Sequence, residues 1–208
     1  KLNGAPVAGE TCPQYLYLDD SRLTEPEGHY WACCPPIRPR IQQEQIWKCL
    51  ASGQLAVVAT DHCPFTRADK NSWNHDITKL PMGLPGIETF PALLLNGVHS
   101  EKISLLDAVR MISENPARIF GIYPEKGSLI PGTDADIMVY NPDCEGVINA
   151  ANLHMKTDYS PYEGMVCRGC NEMTIMRGKV IFSRKNGWSG KKGGGKFLFR
   201  QAADPDFF

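Results

Sequence analysis

One short run of residues constrains the fold of this chain more than any other part of its sequence. The run Leu55-Ala56-Val57-Val58-Ala59 contains only apolar side chains and follows a segment with helical spacing. A strand without alternation between apolar and polar residues is typical of a parallel sheet that is covered on both faces. The sequence therefore predicts an α/β fold in which this strand is buried and Thr60-Asp61-His62 lies at its carboxyl end.

Three segments around this strand are predicted to be helical. Residues 41–52 place apolar side chains, including Ile41, on one face at helical spacing. Residues 87–95 and 105–113 show the same kind of pattern, and Ser104 stands where the N-cap of the last helix is expected. Helices that alternate with a buried strand agree with the α/β class.

The character of the sequence changes after Gly121, where short extended segments alternate with glycine and proline turns. We therefore predict an α/β domain over residues 1–125, a β-rich module over residues 126–183 and a loosely ordered tail over residues 184–208. The strands predicted in the module are 128–130, 137–140, 173–176 and 179–182.

Composition excludes several partners and locations. A net charge of −1 with both signs interspersed gives no field that would collect nucleic acid or an anionic membrane. No apolar run approaches the about 20 residues that a bilayer-spanning helix needs. Eight cysteines in 208 residues fall well below the density of a disulfide scaffold. Because the first residues lack the apolar stretch of a signal peptide, we expect a cytoplasmic protein with mostly reduced thiols.

Asp61 is the candidate catalytic residue that the pattern of residues itself indicates. A carboxylate directly after a buried strand is expensive to desolvate without a partner. Active sites of parallel α/β folds lie at the carboxyl ends of the strands, so Asp61 is interpreted as a metal ligand or base. The alternative is a cap of the turn that contains Pro64. His62 points to the opposite side of an extended chain and is expected to be a hydrogen-bonded structural histidine or to orient a ligand.

Two further motifs are weaker. Cys167 and Cys170 have the spacing of a zinc half-site or a redox pair, but no second pair and no βαβ context accompany them, which favours a structural role. The stretch from Gly190 to Lys196 imitates a phosphate-binding loop. Because Phe197 occupies its Ser/Thr position, nucleotide binding is rejected.

Several segments taken together resemble the C-terminal part of the dihydropyrimidinase and D-hydantoinase family of cyclic amidohydrolases. Their order and spacing agree with that family over residues 6–183. The segments are GETCPQYL (9–16), CPPIRP (34–39), ATDHCPF (59–65), GIE (86–88), NPARIFG (115–121), KGS (126–128), PGTDADI (131–137) and YEG (162–164).

The resemblance implies the C-terminal portion of a (β/α)₈ TIM-like barrel, followed by part of a β-sandwich domain. Residues 1–125 would supply the last barrel strands, and residues 126–183 would supply the C-terminal share of the sandwich. A complete barrel takes about 250 residues by itself. We therefore expect six earlier strands to lie outside this chain.

The resemblance also implies two divalent metal ions, usually zinc. Histidines and a carboxylated lysine on earlier strands would bind them together with an aspartate on the eighth strand, which corresponds to Asp61. Asp61 would accept the proton of the attacking hydroxide and return it to the departing ring nitrogen. Since this chain shows only one of the ligands, its site is expected to be incomplete and the chain alone inactive.

Cys34 and Met82 align with positions whose backbone groups grip the cyclic imide in the family. Hydantoinases usually carry serine and asparagine there, so the identity of the substrate, a hydantoin or a 5,6-dihydropyrimidine, stays open. The expected partners are this small cyclic amide and further copies of the complete protein, in a dimer or tetramer. The alternative is a non-catalytic scaffold of the collapsin response mediator type, in which metal ligands are typically lost.

Overall fold

The computed structural model describes residues 6–204 and residue 207. Its helices are α1 (Pro13–Tyr17), α2 (Ile41–Ala51), α3 (Arg67–Asn71), α4 (Phe90–His99), α5 (Leu105–Val109) and α6 (Asn115–Ile119). Its strands are β1 (Glu10–Thr11), β2 (Val57–Val58), β3 (Ile137–Val147), β4 (Val166–Met176), β5 (Lys179–Ser183) and β6 (Gly187–Trp188).

Strands β1 and β2 form a parallel pair in which Glu10 lies opposite Val57 and Thr11 opposite Val58. Both residues of β2 are buried, so the buried parallel strand predicted from the apolar run is confirmed. Helix α6 supports the strand, because the side chain of Asn115 donates a hydrogen bond of 2.7 Å to the carbonyl of Ala56. The pair fixes where the chain turns out of the sheet toward Asp61.

Helix α2 forms where it was predicted, but its buried face differs from the predicted one at Trp47 and at Ile41. Trp47 and Leu50 point into the core, whereas Ile41 is 74% exposed. Ile41 is the first residue of the helix, where the chain leaves the proline-rich loop and has not yet reached the core. The core accommodates the Trp47 ring because Gly97 of α4 has no side chain; a Cβ there would lie 2.4 Å from the ring.

The other predicted helices are confirmed with shifted limits. Helix α4 begins at Phe90 rather than at residue 87. Ser104 is the N-cap of α5, where its hydroxyl accepts a hydrogen bond of 3.1 Å from the backbone N–H of Asp107. Helix α5 continues through a π-helical turn, Arg110–Glu114, directly into α6.

The β-rich module is a four-stranded antiparallel sheet in the order β3-β4-β5-β6. Strands β3 and β4 are longer than predicted, because irregularities in register let them pair on both sides of Pro142. The strand predicted over residues 128–130 does not form. Ser128 and Thr133 instead hydrogen-bond to backbone carbonyls of this turn region, and Leu129 is 76% exposed.

Cys167 and Cys170 do not act as a pair. Cys170 forms a disulfide with Cys144 of β3, whereas Cys167 is a buried free thiol. Side chains alternate between the two faces of a strand, so residues three apart lie on opposite faces. This alternation separates the two sulfur atoms. The zinc half-site interpretation is therefore wrong for this pair, and the favoured structural role agrees with the disulfide.

Two apolar clusters hold the molecule together. The first lies between the helices and β2, and the second joins helix α4 to the β-rich module. The first contains Leu16, Trp47, Leu50, Val58, Leu94, Ile103, Ala108 and Met111. The second contains Leu18, Cys33, Ile37, Leu84, Leu93, Ile148, Tyr162 and Cys167.

The last described residues return to α6, where Gln201 donates its backbone N–H to the carbonyl of Gly121 and Asp204 pairs with Arg118.

The domain limits at residues 125 and 183 stay a prediction. None of the helices in the described ranges has the length and apolar content needed to cross a bilayer.

Candidate active site

Asp61 lies three residues beyond β2, at the carboxyl end of the buried strand. Its φ of 44° is in the left-handed region, which Asp and Asn tolerate better than other non-glycine residues. This backbone turn carries the carboxylate out of the sheet, and the residue is exposed. The burial expected of Asp61 in the complete protein stays a prediction.

Gln14 of α1 orients the Asp61 carboxylate. Its side-chain amide donates a hydrogen bond of 3.4 Å to Asp61 Oδ2, and Gln14 itself is only 2% exposed. In the described part of the chain, no basic side chain forms an ion pair with Asp61. A carboxylate that is held by a neutral donor, with no basic side chain paired to it, is suited to bind a cation.

The alternative role of Asp61, as a cap of the following turn, is wrong. The helix after this turn, α3, is capped by Thr66, whose side chain accepts from the backbone N–H of Asp69 while Asp69 accepts from Thr66. The only side-chain hydrogen bond of Asp61 among the described residues comes from Gln14. Its carboxylate is thus not needed to satisfy the local backbone.

His62 is a hydrogen-bonded structural histidine, as one of the two sequence interpretations proposed. Its Nδ1 accepts the backbone N–H groups of Gly86, at 3.1 Å, and of Ile87, at 3.3 Å. Burial lowers the pKa of the imidazole. A ring nitrogen that accepts two hydrogen bonds carries no proton, so the ring is neutral in this arrangement.

Cys34 and Met82 lie on two neighbouring loop segments that are joined through the backbone. The N–H of Gly83 donates a hydrogen bond of 3.0 Å to the carbonyl of Ala32. The Tyr15 hydroxyl donates one of 2.7 Å to the carbonyl of Pro35 and fixes the segment of Cys34. Both Cys34 and Met82 are exposed.

Sequence reasoning missed Lys70, which is completely buried. Its ammonium donates hydrogen bonds of 2.7 Å to the carbonyl of Ala32 and 2.8 Å to that of Pro81. Burial lowers its pKa to about 8, and the nearby thiols of Cys33 and Cys63 act in the opposite direction. The capping pattern of Thr66 and Asp69, which our sequence predictions did not include, marks the start of α3 but does not indicate the burial of its lysine.

The cysteines around Asp61 are not reactive thiolates. Burial, and then the Asp61 carboxylate, raise the pKa of Cys12 to about 12 and also raise that of Cys63. Burial likewise raises the pKa of Cys33 to about 11. Since the thiolate is the nucleophile, thiols with a raised pKa are poor nucleophiles at neutral pH. Asp61 remains the strongest candidate for chemistry in this region.

A cavity of about 310 Å³ adjoins the two loop segments, and its volume is in the range of small-molecule sites. Most of its lining side chains are apolar. They include Cys33, Trp73, Ile77, Leu80 and Met82.

Comparison with known proteins places this arrangement in a family. The sequence profile of the Amidohydrolase family matches residues 17–181. The chain belongs to the amidohydrolase family. It is 42% identical over 200 residues to a D-hydantoinase of Streptomyces coelicolor, covering 95% of this chain and 43% of that protein. It is 40% identical over 207 residues to a D-phenylhydantoinase of Escherichia coli O1:K1, covering 99% and 45%.

Solved structures show the same partial match for this amidohydrolase. A D-hydantoinase from Bacillus sp. AR9 superposes with a TM-score of 0.93 at 38% identity, covering 96% of this chain and 44% of that one. A D-hydantoinase (dihydropyrimidinase) from Thermus sp. gives a TM-score of 0.93 at 32% identity, covering 98% and 45%. The chain thus spans less than half the length of these relatives. The predicted resemblance and the partial barrel-plus-sandwich fold are confirmed.

Proposed function

We propose that the complete protein hydrolyses the C–N bond of a cyclic amide, a hydantoin or a 5,6-dihydropyrimidine. The observation that carries the proposal is the Asp61 carboxylate, which lies at the end of a buried parallel strand, oriented by Gln14 and without a described cationic partner. The similarity to hydantoinases supplies the substrate class. Family membership supplies the reaction class.

Asp61 fits the role of ligand to one of two divalent ions, for which we propose zinc. Its oxygen donors, its exposure and its uncompensated charge suit a divalent cation. Such ions lower the pKa of water and polarise a carbonyl group. Within the described residues no three potential ligands lie close enough to hold an ion. The other ligands would come from the earlier barrel strands.

The proposed chemistry assigns one proton to Asp61. The carboxylate accepts the single proton of an attacking hydroxide as the hydroxide oxygen bonds to the ring carbonyl carbon. When the C–N bond breaks, Asp61 returns the proton to the ring nitrogen, and the products are a carboxylate and a ureido group on one open chain. Asp61 would thus act first as general base and then as general acid.

The ring itself would be bound through main-chain groups of Cys34 and Met82. Both residues are exposed on segments that Tyr15 and Lys70 hold by hydrogen bonds. Backbone recognition tolerates a change of side chain, so cysteine and methionine are compatible with the binding of a cyclic amide.

We also propose that the complete protein is a cytoplasmic homo-oligomer. Six free cysteines support the cytoplasmic location, whereas the Cys144–Cys170 disulfide is of a kind that cytosolic proteins rarely keep.

A second candidate is a non-catalytic scaffold with the same fold. The departures from serine and asparagine at Cys34 and Met82 favour it, whereas the retained Asp61 favours the enzyme. The upstream sequence distinguishes the two candidates. A His-x-His pair and a lysine on the earlier strands support the enzyme, and the absence of both would remove it.

The direct test is Asp61→Asn in the complete protein. Asparagine keeps the shape of the side chain and tolerates the left-handed backbone, so folding should be unchanged. Turnover of hydantoin and dihydrouracil should fall by at least about 100-fold, because the proton acceptor is lost. Asp76→Asn, at the half-buried N-cap of the short 3₁₀ helix Ile77–Lys79, is the matched control and should keep full turnover. Equal activity of Asp61→Asn and wild type would refute the role of Asp61.

A further inference from the structure

Lys70 occupies an unusual position for a lysine. It is completely buried, and the ammonium has no carboxylate partner among the described residues; it donates instead to two backbone carbonyls. Lysine is seldom fully buried, and an apolar side chain would fill the same space without desolvating a charge. The two hydrogen bonds to backbone carbonyls are therefore the feature of Lys70 that an apolar residue could not provide.

The two carbonyls belong to the segments that carry Cys34 and Met82. The Pro81 carbonyl shares one planar peptide unit with the N–H of Met82, and the Gly83 N–H shares the next unit with the carbonyl of Met82. Lys70 binds the first unit, and Ala32 accepts from the second. Both peptide units that flank Met82 are therefore fixed from the same side.

The direction of these peptide units is also determined. Neither is among the cis peptide bonds of the described chain, so C=O and N–H point in opposite directions in each. With the Pro81 carbonyl turned toward Lys70, the Met82 N–H points away from it. With the Gly83 N–H turned toward Ala32, the Met82 carbonyl points away as well. One donor and one acceptor of Met82 are thus presented together.

We infer that Lys70 is a positioning residue for substrate binding, which ties the segments of Cys34 and Met82 together so that their main-chain groups face the cyclic amide. This inference rests on the proposed function. Ala32 accepts from both Lys70 and Gly83, so its carbonyl is the point where the two segments meet. Without the ammonium, only the hydrogen bond from Gly83 to Ala32 remains of these three hydrogen bonds.

The capping pattern of α3 fixes the backbone from which the Lys70 side chain extends. Thr66 and Asp69 exchange hydrogen bonds at the start of the helix, which sets the direction of the side chain one residue later. The titratable groups that influence Lys70 are the thiols of Cys33 and Cys63, and the ring of Phe65 lies 5.9 Å from its Nζ. The ammonium is therefore enclosed on a short, rigid support.

The test is Lys70→Met in the complete protein, with Lys79→Met as the matched control, since Lys79 lies on the same loop but is exposed and paired with Asp76. For Lys70→Met we expect KM for hydantoin to rise about tenfold, because both hydrogen bonds that hold the two segments are lost, with kcat within about twofold of wild type. Amide hydrogen exchange of residues 32–37 and 81–86 should accelerate. The control should change neither quantity.

If Lys70→Met does not fold, Lys70→Gln provides the same two measurements, because its amide keeps a donor on a shorter side chain. A folded variant with wild-type KM and wild-type exchange overturns the inference, as does a loss of kcat at unchanged KM. If wild type shows no turnover, the proposed function fails, whereas the exchange of the two segments still tests Lys70. Unchanged exchange in that case also overturns its role.

Discussion

The side-chain amide of Gln14 donates a hydrogen bond to the carboxylate of Asp61, across 47 positions of sequence. Gln14 follows β1 and Asp61 follows β2, so the contact joins the carboxyl ends of two paired parallel strands. A neutral donor orients the carboxylate without neutralising it. This distinguishes the pair from an ion pair, in which a cation would compete with a metal or a substrate for the same oxygen atoms.

Gln14→Leu should therefore impair turnover more than stability. Leucine has about the same size as glutamine, and Asp61 stays in contact with water. The free energy of unfolding should therefore change by no more than about 1 kcal/mol. Because the orientation of the carboxylate is lost, we expect kcat of the complete protein to fall about tenfold. Denaturant unfolding and steady-state kinetics measure both. Gln45→Leu, on the exposed face of α2, is the control, and an unchanged kcat for Gln14→Leu would contradict the orienting role.

The sequence predicts those features that depend on local pattern. The buried strand β2 and the position of Asp61 follow from an apolar run and the polar residues after it. The left-handed backbone of Asp61 does not, because aspartate permits this conformation but does not require it. Lys70 was missed for a related reason: it lies among polar residues, and only the folding of its loop against Ala32 buries it.

His62 makes stability sensitive to acid. Burial lowers the pKa of the folded imidazole below its ordinary value of 6.5. Below about pH 6.5 the unfolded chain binds a proton that the folded protein resists, so stability is present above this pH and is lost as the pH falls toward the folded pKa. Protonation of Nδ1 would also break its hydrogen bonds from Gly86 and Ile87.

The measurement is the free energy of unfolding between neutral pH and pH 5, compared with that of His62→Asn. The asparagine oxygen can accept in place of Nδ1 and does not titrate in this range. We expect the variant to lose less stability than wild type on acidification. Parallel pH profiles would show that another group is responsible.

Gly83 is required because Cys63 lies against its backbone. A Cβ at residue 83 would be 2.4 Å from Cys63 Cβ and 2.5 Å from its Sγ. Gly83→Ala should destabilise the protein by about 1–3 kcal/mol through overpacking. It should also raise KM, because the neighbouring Met82 is displaced. Gly146→Ala, where a Cβ meets nothing within 4 Å, is the control. A Gly83→Ala variant with unchanged stability would show that the backbone shifts away from Cys63 without loss of stability and would contradict this prediction.

The chain of residues 1–208 by itself should neither bind two zinc ions nor hydrolyse hydantoin. Among the described residues Asp61 has no companion ligands, since no group of three potential metal ligands is present. The parallel sheet of the described chain contains only β1 and β2, and α5 exposes Leu105, Leu106 and Val109. Unpaired strand edges and apolar helix faces promote association. We therefore expect the purified chain to self-associate. Sedimentation with metal analysis tests both expectations, and a compact monomer that holds two equivalents of zinc would refute them.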